Sequence, residues 1–452
     1  MFRKILFFTL FVLLHSNFFT IYAQQNPAGS EIAALKYKLT DFRNPSMLRY
    51  RFGLLLFSSD GKFLATSGTA RDIKIYDTAT GEIKATLDGD RNGFNAFSFD
   101  PDDKTVIAQD SDYSELRVFE VGTGKLLKTI DGSRATSAGK KNMANSLRGL
   151  GGLEMSPAPV TADWKTALIQ KNEGEYEIVD LETNDVRYKF EHSKKSNPLW
   201  DFFKSTFIPI AGVLISNANF SPDGKLVAIA NGNNEPTLWS AETGKLVAKL
   251  VPQNDRVYNA GFSPDGKLVT TTDINGVTNL WETETGKMLA SFGSKKDKTH
   301  PAAWSADGRR LVTISFKKDA RVWDARDGNL LFALKASDAA TVVFSPNGEL
   351  LATTSQSNKT KLAQIWKAEN GELVAALPRI KDEDRAFSLV WSPDGKLLIT
   401  ASSDRVKIWN AKGELLQTLE DAVFPARFSR DGKLLATGGK NDVGYVWQIR
   451  EN

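Results

Sequence analysis

The feature that most constrains this chain is a unit of about 40 residues that returns along most of its length. Its clearest copy fills residues 219–250. There Phe220-Ser221-Pro222-Asp223-Gly224-Lys225 closes a first strand, Leu238-Trp239 ends a third, and Glu242-Thr243-Gly244-Lys245 leads into a fourth. The next stretch repeats it with Phe262-Ser263-Pro264-Asp265-Gly266-Lys267, Leu280-Trp281 and Glu284-Thr285-Gly286-Lys287. Between the turns lie strand-length segments bounded by Gly, Pro, Asp and Asn, and no 3.6-residue apolar period competes with them.

The turns have a physical reading. Proline pre-sets the first corner of a type I turn, and Gly takes the left-handed conformation that closes a tight hairpin. Earlier copies carry Phe57-Ser58-Ser59-Asp60-Gly61-Lys62 with Tyr76, then Phe99-Asp100-Pro101-Asp102-Asp103-Lys104 with Phe119. The third is degenerate: Met155-Ser156-Pro157 stands for the first turn, Trp164-Lys165 follows, and Asn184 replaces the second Gly. Asparagine is the next residue type to tolerate that site. The sixth to ninth copies begin at Trp304-Ser305, Phe344-Ser345, Trp391-Ser392 and Phe428-Ser429.

Each third strand sets an aliphatic residue beside an aromatic one, as in Val322-Trp323 and Ile408-Trp409. Neighbours on a strand point to opposite faces, so both faces of the sheet are apolar. Blades stacked around a ring satisfy that demand. The expected fold is all-β: one closed propeller of four-stranded blades over residues 32–452, with nine blades, or eight if the third is lost. Trp239, Trp281, Trp323, Trp366, Trp409 and Trp447 are assigned to its core, with Trp304 and Trp391. The ninth copy ends after its third strand, and residues 32–39 resemble the missing fourth. They are expected to pair with the strand ending at Trp447 and close the ring; the alternative is a loose leader.

These units resemble WD40 repeats from about residue 50 onward. The Trp-Asp pair stands only at Trp323-Asp324, and the Gly-His dipeptide of that family is missing. The Ser-Pro-Asp-Gly-Lys turns are also shared with exported TolB-like and peptidase propellers. The resemblance implies a scaffold more often than an enzyme.

Composition narrows the chemistry. The 58 basic and 54 acidic residues leave a formal charge of +4, which gives no global argument for a nucleic-acid or membrane partner. With no cysteine, disulfides and thiolate catalysis are excluded. Arg3 and Lys4, the apolar run Ile5 to Leu14 and Ile21-Tyr22-Ala23 read as a signal peptide over residues 1–23, followed by a flexible leader over 24–31. The apolar run is shorter than the roughly 20 residues a membrane span needs, so cleavage before Gln24 is expected over a retained anchor. The expected location is secreted or periplasmic.

Two insertions interrupt the period. Residues 133–152 carry Arg134, Lys140, Lys141 and Arg148 without an acid, and residues 192–212 carry Lys194, Lys195, Trp200, Phe202, Phe203 and Phe207. Each joins a fourth strand to the next first strand, so both project from one face. A basic loop beside an aromatic one suits a protein or peptide contact. The blander reading is a disordered loop plus a segment folded over a poorly packed blade; a third is a membrane-dipping segment. Asp110, Asp112 and Ser114 alternate as calcium ligands could, but without the Gly and distal Glu of an EF-hand. No Gly-x-Ser-x-Gly elbow or phosphate loop is present, and past the signal only His192 and His300 carry imidazoles, so no metal or other cofactor is expected. Three functions remain open: a binding scaffold, a structural module, and a propeller enzyme (hydrolase, lyase or quinone-dependent oxidoreductase) working at the channel mouth.

Overall fold

Apart from short gaps inside several connections, the computed structural model describes residues 32–39, 55–131, 160–191 and 218–450. These residues form nine antiparallel sheets, all built from strands that follow one another in sequence except the last. Blades one to nine span residues 55–87, 94–131, 160–191, 218–249, 257–292, 299–334, 339–378, 388–419 and 422–449. Eight sheets have four strands; the third has three strands among the described residues, with one further bridge, Val160 to Ala167, on its inner side.

The ring closes as expected. The strand Ala33–Leu39 pairs antiparallel with Gly444–Ile449, from Ala33 opposite Ile449 to Leu39 opposite Gly444. It is held from both sides. The Ala33 amide donates to Gln417 Oε1 of blade eight at 2.8 Å, and Gln417 Nε2 donates back to the Ala33 carbonyl at 2.8 Å. Lys36 Nζ and the Tyr37 hydroxyl donate to the Thr78 carbonyl of blade one at 2.7 and 2.9 Å. Leu39, Leu434, Ala436 and Val446 of the ninth sheet pack with Leu55, Phe57, Leu64 and Tyr76 of the first. The last seam is therefore an apolar interface like the others.

The core sits between blades, in the second and third strands. Leu280 and Trp281 are both fully buried, on opposite faces of one strand. Fourth strands form the outer rim, and there aliphatic side chains such as Leu127 and Leu330 are half exposed. Trp281, Trp366, Trp409 and Trp447 are buried, and so is Trp391. Trp239 and Trp323 are half-buried, their rings 5.0 and 4.6 Å from Phe190 and Phe292 of the preceding blades.

One turn sits elsewhere than the sequence suggests. In blade three the first turn is Thr161 to Lys165, with Thr161 in the serine place: its hydroxyl donates to Asp163 at 2.7 Å and accepts from the Thr166 amide at 3.1 Å. Threonine supplies the same hydroxyl as serine, so the turn survives without its Ser-Pro signature. Met155, Ser156 and Pro157 lie outside the described residues.

Candidate functional site

The two ends of the ring differ in how much of their chain is already committed. At one end, the lower, lie the hairpin turns. In blade four the Gly224 amide donates to the Ser221 carbonyl at 2.8 Å, as a type I turn requires. The buried Ser221 hydroxyl donates to Asp223 at 2.6 Å and accepts from the Leu226 amide at 2.9 Å. The second turn closes one residue wider, from the Gly244 amide to the Ser240 carbonyl at 2.9 Å. The carbonyl after each first turn accepts the amide after the third strand, as Lys225 does from Ala241 at 2.8 Å, and this bond recurs in every blade. The lower backbone is thus spent on its own hydrogen bonds.

These turns also hold most of the carboxylates with lowered pKa values. Partial burial works against ionisation of Asp60, but Lys62 and the Ser58 hydroxyl outweigh it and bring the carboxyl from 3.8 to about 2. Asp223, Asp265, Asp394 and Asp431 are lowered in the same way: burial opposes, and the turn serine and the following lysine prevail. At the end of the strand Glu175–Asp180 in blade three, backbone and Arg187 hydrogen bonds take Asp180 to about 2.

At the upper end lie the connections from second to third and from fourth to first strands. The two longest leave from Asp131 and Glu191, at the same end of blades two and three. Arg134, Lys140, Lys141, Arg148, Lys194, Lys195, Trp200, Phe202 and Phe203, which they carry, lie outside the described residues, as do His192, Asp112 and Ser114.

Beneath this end runs a polar layer that the repeat reading does not single out. Two residues before the third-strand aromatic position stand Lys74, Arg117, Glu177, Thr237, Asn279, Arg321, Gln364, Lys407 and Tyr445, one per blade. The signal was available in the sequence: that register position is polar in all nine copies. In blades five to nine it pairs with a second-strand threonine, as Asn279 with Thr271 and Lys407 with Thr400. That threonine accepts the indole N–H of Trp281, Trp323, Trp366, Trp409 or Trp447 at 2.8–3.0 Å. Many of the charges in and around the layer are paired: Lys74 with Asp72 at 2.9 Å, Lys189 with the buried Glu177 at 2.9 Å, Arg405 with Glu420 at 3.1 Å. Arg117 lies 6.0 Å from the Phe94 ring centre. Burial, and then Asp421, push the Tyr445 hydroxyl up.

Between blades seven and eight the layer opens into a small, shallow depression lined by Leu362, Ala386, Thr400, Ala401, Ser402, Arg405 and Lys407. Its polar groups are engaged: the Thr400 hydroxyl accepts the Trp409 indole, Lys407 is buried, and Arg405 pairs with Glu420. Among the described residues no group of three or more His, Cys, Asp or Glu side chains could hold a metal. No helix among them is long and apolar enough to cross a membrane.

Comparison with known proteins agrees with this architecture. The C-terminal WD40 domain of Sif2 superposes with a TM-score of 0.54 at 13% identity, over 93% of this chain and 99% of that one. In fold and repeat pattern this chain is a WD40-type β-propeller. A crystal structure of a eukaryotic initiation factor matches with a TM-score of 0.58 at 17% identity, over 84% and 90% of the two chains. The family described as "Eukaryotic translation initiation factor eIF2A" matches residues 294–424. A WD repeat-containing protein 26 homolog of Drosophila melanogaster is 35% identical over 117 residues, 24% of this WD40-type chain and 18% of that protein. A U4/U6 small nuclear ribonucleoprotein PRP4-like protein of Arabidopsis thaliana is 43% identical over 79 residues, 17% and 13% of the two. The chain thus matches less than a fifth of the length of either relative.

Proposed function

We propose that this WD40-type propeller is an exported, non-enzymatic scaffold that binds a protein or peptide through its upper face. The contact is assigned to the two insertions flanking blade three, residues 133–152 and 192–212. One observation carries the reading. The first lower turn of every blade is locked into the same short set of hydrogen bonds, which leaves the upper connections freer to vary in length and chemistry. Loops on a rigid scaffold are where recognition concentrates, and Arg with exposed aromatics is what interfaces favour. The enzyme reading draws on no described cluster. Among the described residues, the shifted acids sit in hairpin turns or beside them, and the shifted tyrosines pack between blades.

The test is affinity capture from the native envelope or secretion fraction, using the full chain and two variants lacking residues 133–152 or 192–212. Loss of one and the same captured species from either variant, with circular dichroism unchanged, supports the reading. Identical captures by all three chains refute it. Export is checked separately: the mature chain is expected to begin at Gln24 by intact mass.

A further inference from the structure

Each lower turn places one residue in the left-handed backbone region, and in this ring glycine fills that place with three exceptions. Asp103 (φ 57°), Trp164 (φ 57°) and Asn184 (φ 69°) carry side chains there, and all three belong to blades two and three. Such a backbone is costliest for a bulky side chain such as tryptophan, and costs asparagine and aspartate less, though still more than glycine. Asp103 is compensated: its carboxylate accepts the Ser59 amide at 2.7 Å, the Ser59 hydroxyl at 2.6 Å and the Asp60 amide at 2.8 Å, all from blade one. Asn184 is exposed at its turn, and Trp164 is half-buried against the blade two–three seam.

A second, independent observation falls on the same blades. The indole-to-threonine bond that braces blades five to nine is absent from blades one to four, and only in blades two and three are both its donor and its acceptor missing. Blade two sets Phe119 and Ala108 at the two positions, and blade three sets Val179 and Ile169. Blade three also buries the Glu177 carboxylate, which pairs with the largely exposed Lys189 at 2.9 Å. Burying a carboxylate carries a desolvation cost that such a pair offsets only in part.

We propose that blades two and three are the yielding sector of the ring: they open locally while blades five to nine and the closing strand stay protected. Proteins do open in cooperative units of unequal stability, and the least braced unit opens first. This is independent of what the upper face binds.

Hydrogen exchange on the full chain reads it directly. Amides of the strands Thr166–Asn172, Glu175–Asp180 and Val186–Glu191 are expected to exchange about tenfold or more faster than those of Leu268–Asp273 and Thr278–Glu282 in blade five. Asn184→Gly removes one strained residue and should slow blade three roughly fivefold without changing blades five to nine. Gly348→Asn, where a side chain meets open space at φ +71°, should speed blade seven by a similar factor. Equal protection of all nine blades would overturn the proposal. So would a local difference that ignores both substitutions.

Discussion

At the scale of single residues, blade stability turns on whether a buried hydroxyl has its donor. Trp281 and Thr271 are both fully buried, and the indole N–H reaches the threonine at 2.8 Å. Thr271→Val leaves that N–H without an acceptor and should cost about 1–3 kcal/mol. Blade one inverts the case. Thr66 stands in the same register place, opposite Lys74, but the aromatic residue is Tyr76, which has no indole. Thr66 Oγ1 is buried with no hydrogen-bond partner. Thr66→Val should therefore be stabilising by about 1 kcal/mol, since it removes an unpaid desolvation. Urea midpoints of the two variants should move in opposite directions; a shared direction contradicts the pairing. In blade four the acceptor place holds Ile229, and Trp239 turns to Thr237 on its own strand at 2.9 Å.

At the scale of the element, the first turn is a pH-sensitive unit. Its aspartate is ionised more readily in the folded chain than in an unfolded one, where a carboxyl titrates near about 3.9. Depressed folded values mean that the folded state binds fewer protons. The stabilisation is complete above the unfolded value and is lost as pH falls through the folded one, which for Asp60 is about 2. Thermal midpoints should accordingly fall between about pH 5 and 2. Blade seven shows which group titrates, because Asn347 replaces the aspartate there and still accepts the Ser345 hydroxyl at 2.7 Å. Replacing Asp223, Asp265 and Asp394 together by Asn should flatten the acid limb of the midpoint curve. An unchanged limb would place the acid sensitivity outside these turns.

At the scale of the whole molecule, the ring is a loop of seams with one closed by pairing across the length of the chain. Removing residues 24–39 would bare the edge of Gly444–Ile449 and uncover Leu434 and Tyr76 at the blade nine–one seam. An open apolar edge recruits another strand. Light scattering should then show a larger species than the intact chain forms, and a peptide of residues 30–40 added in trans should reverse the change. A truncated chain of unchanged association state and equal stability would show that the seam holds without its clasp.

Sequence alone determined the architecture. Turn residues at fixed offsets and an aliphatic–aromatic pair on each third strand are local signals, and local chemistry repeated nine times leaves few ways to bury both faces of a sheet. Even the clasp was legible, because residues 32–39 complete the pattern that breaks off after Trp447. What only the tertiary structure decided was which polar groups meet. Thr271 and Trp281 are ten residues apart, and nothing in either residue says that their strands set them side by side. Asp103 reads as an ordinary turn acid until its carboxylate is seen capping the turn of the neighbouring blade. The turn at Thr161 was hidden because its hydroxyl, not its Ser-Pro spelling, is what the hairpin needs. Repetition fixes a backbone path from within one unit, whereas contacts between units depend on how the units are stacked.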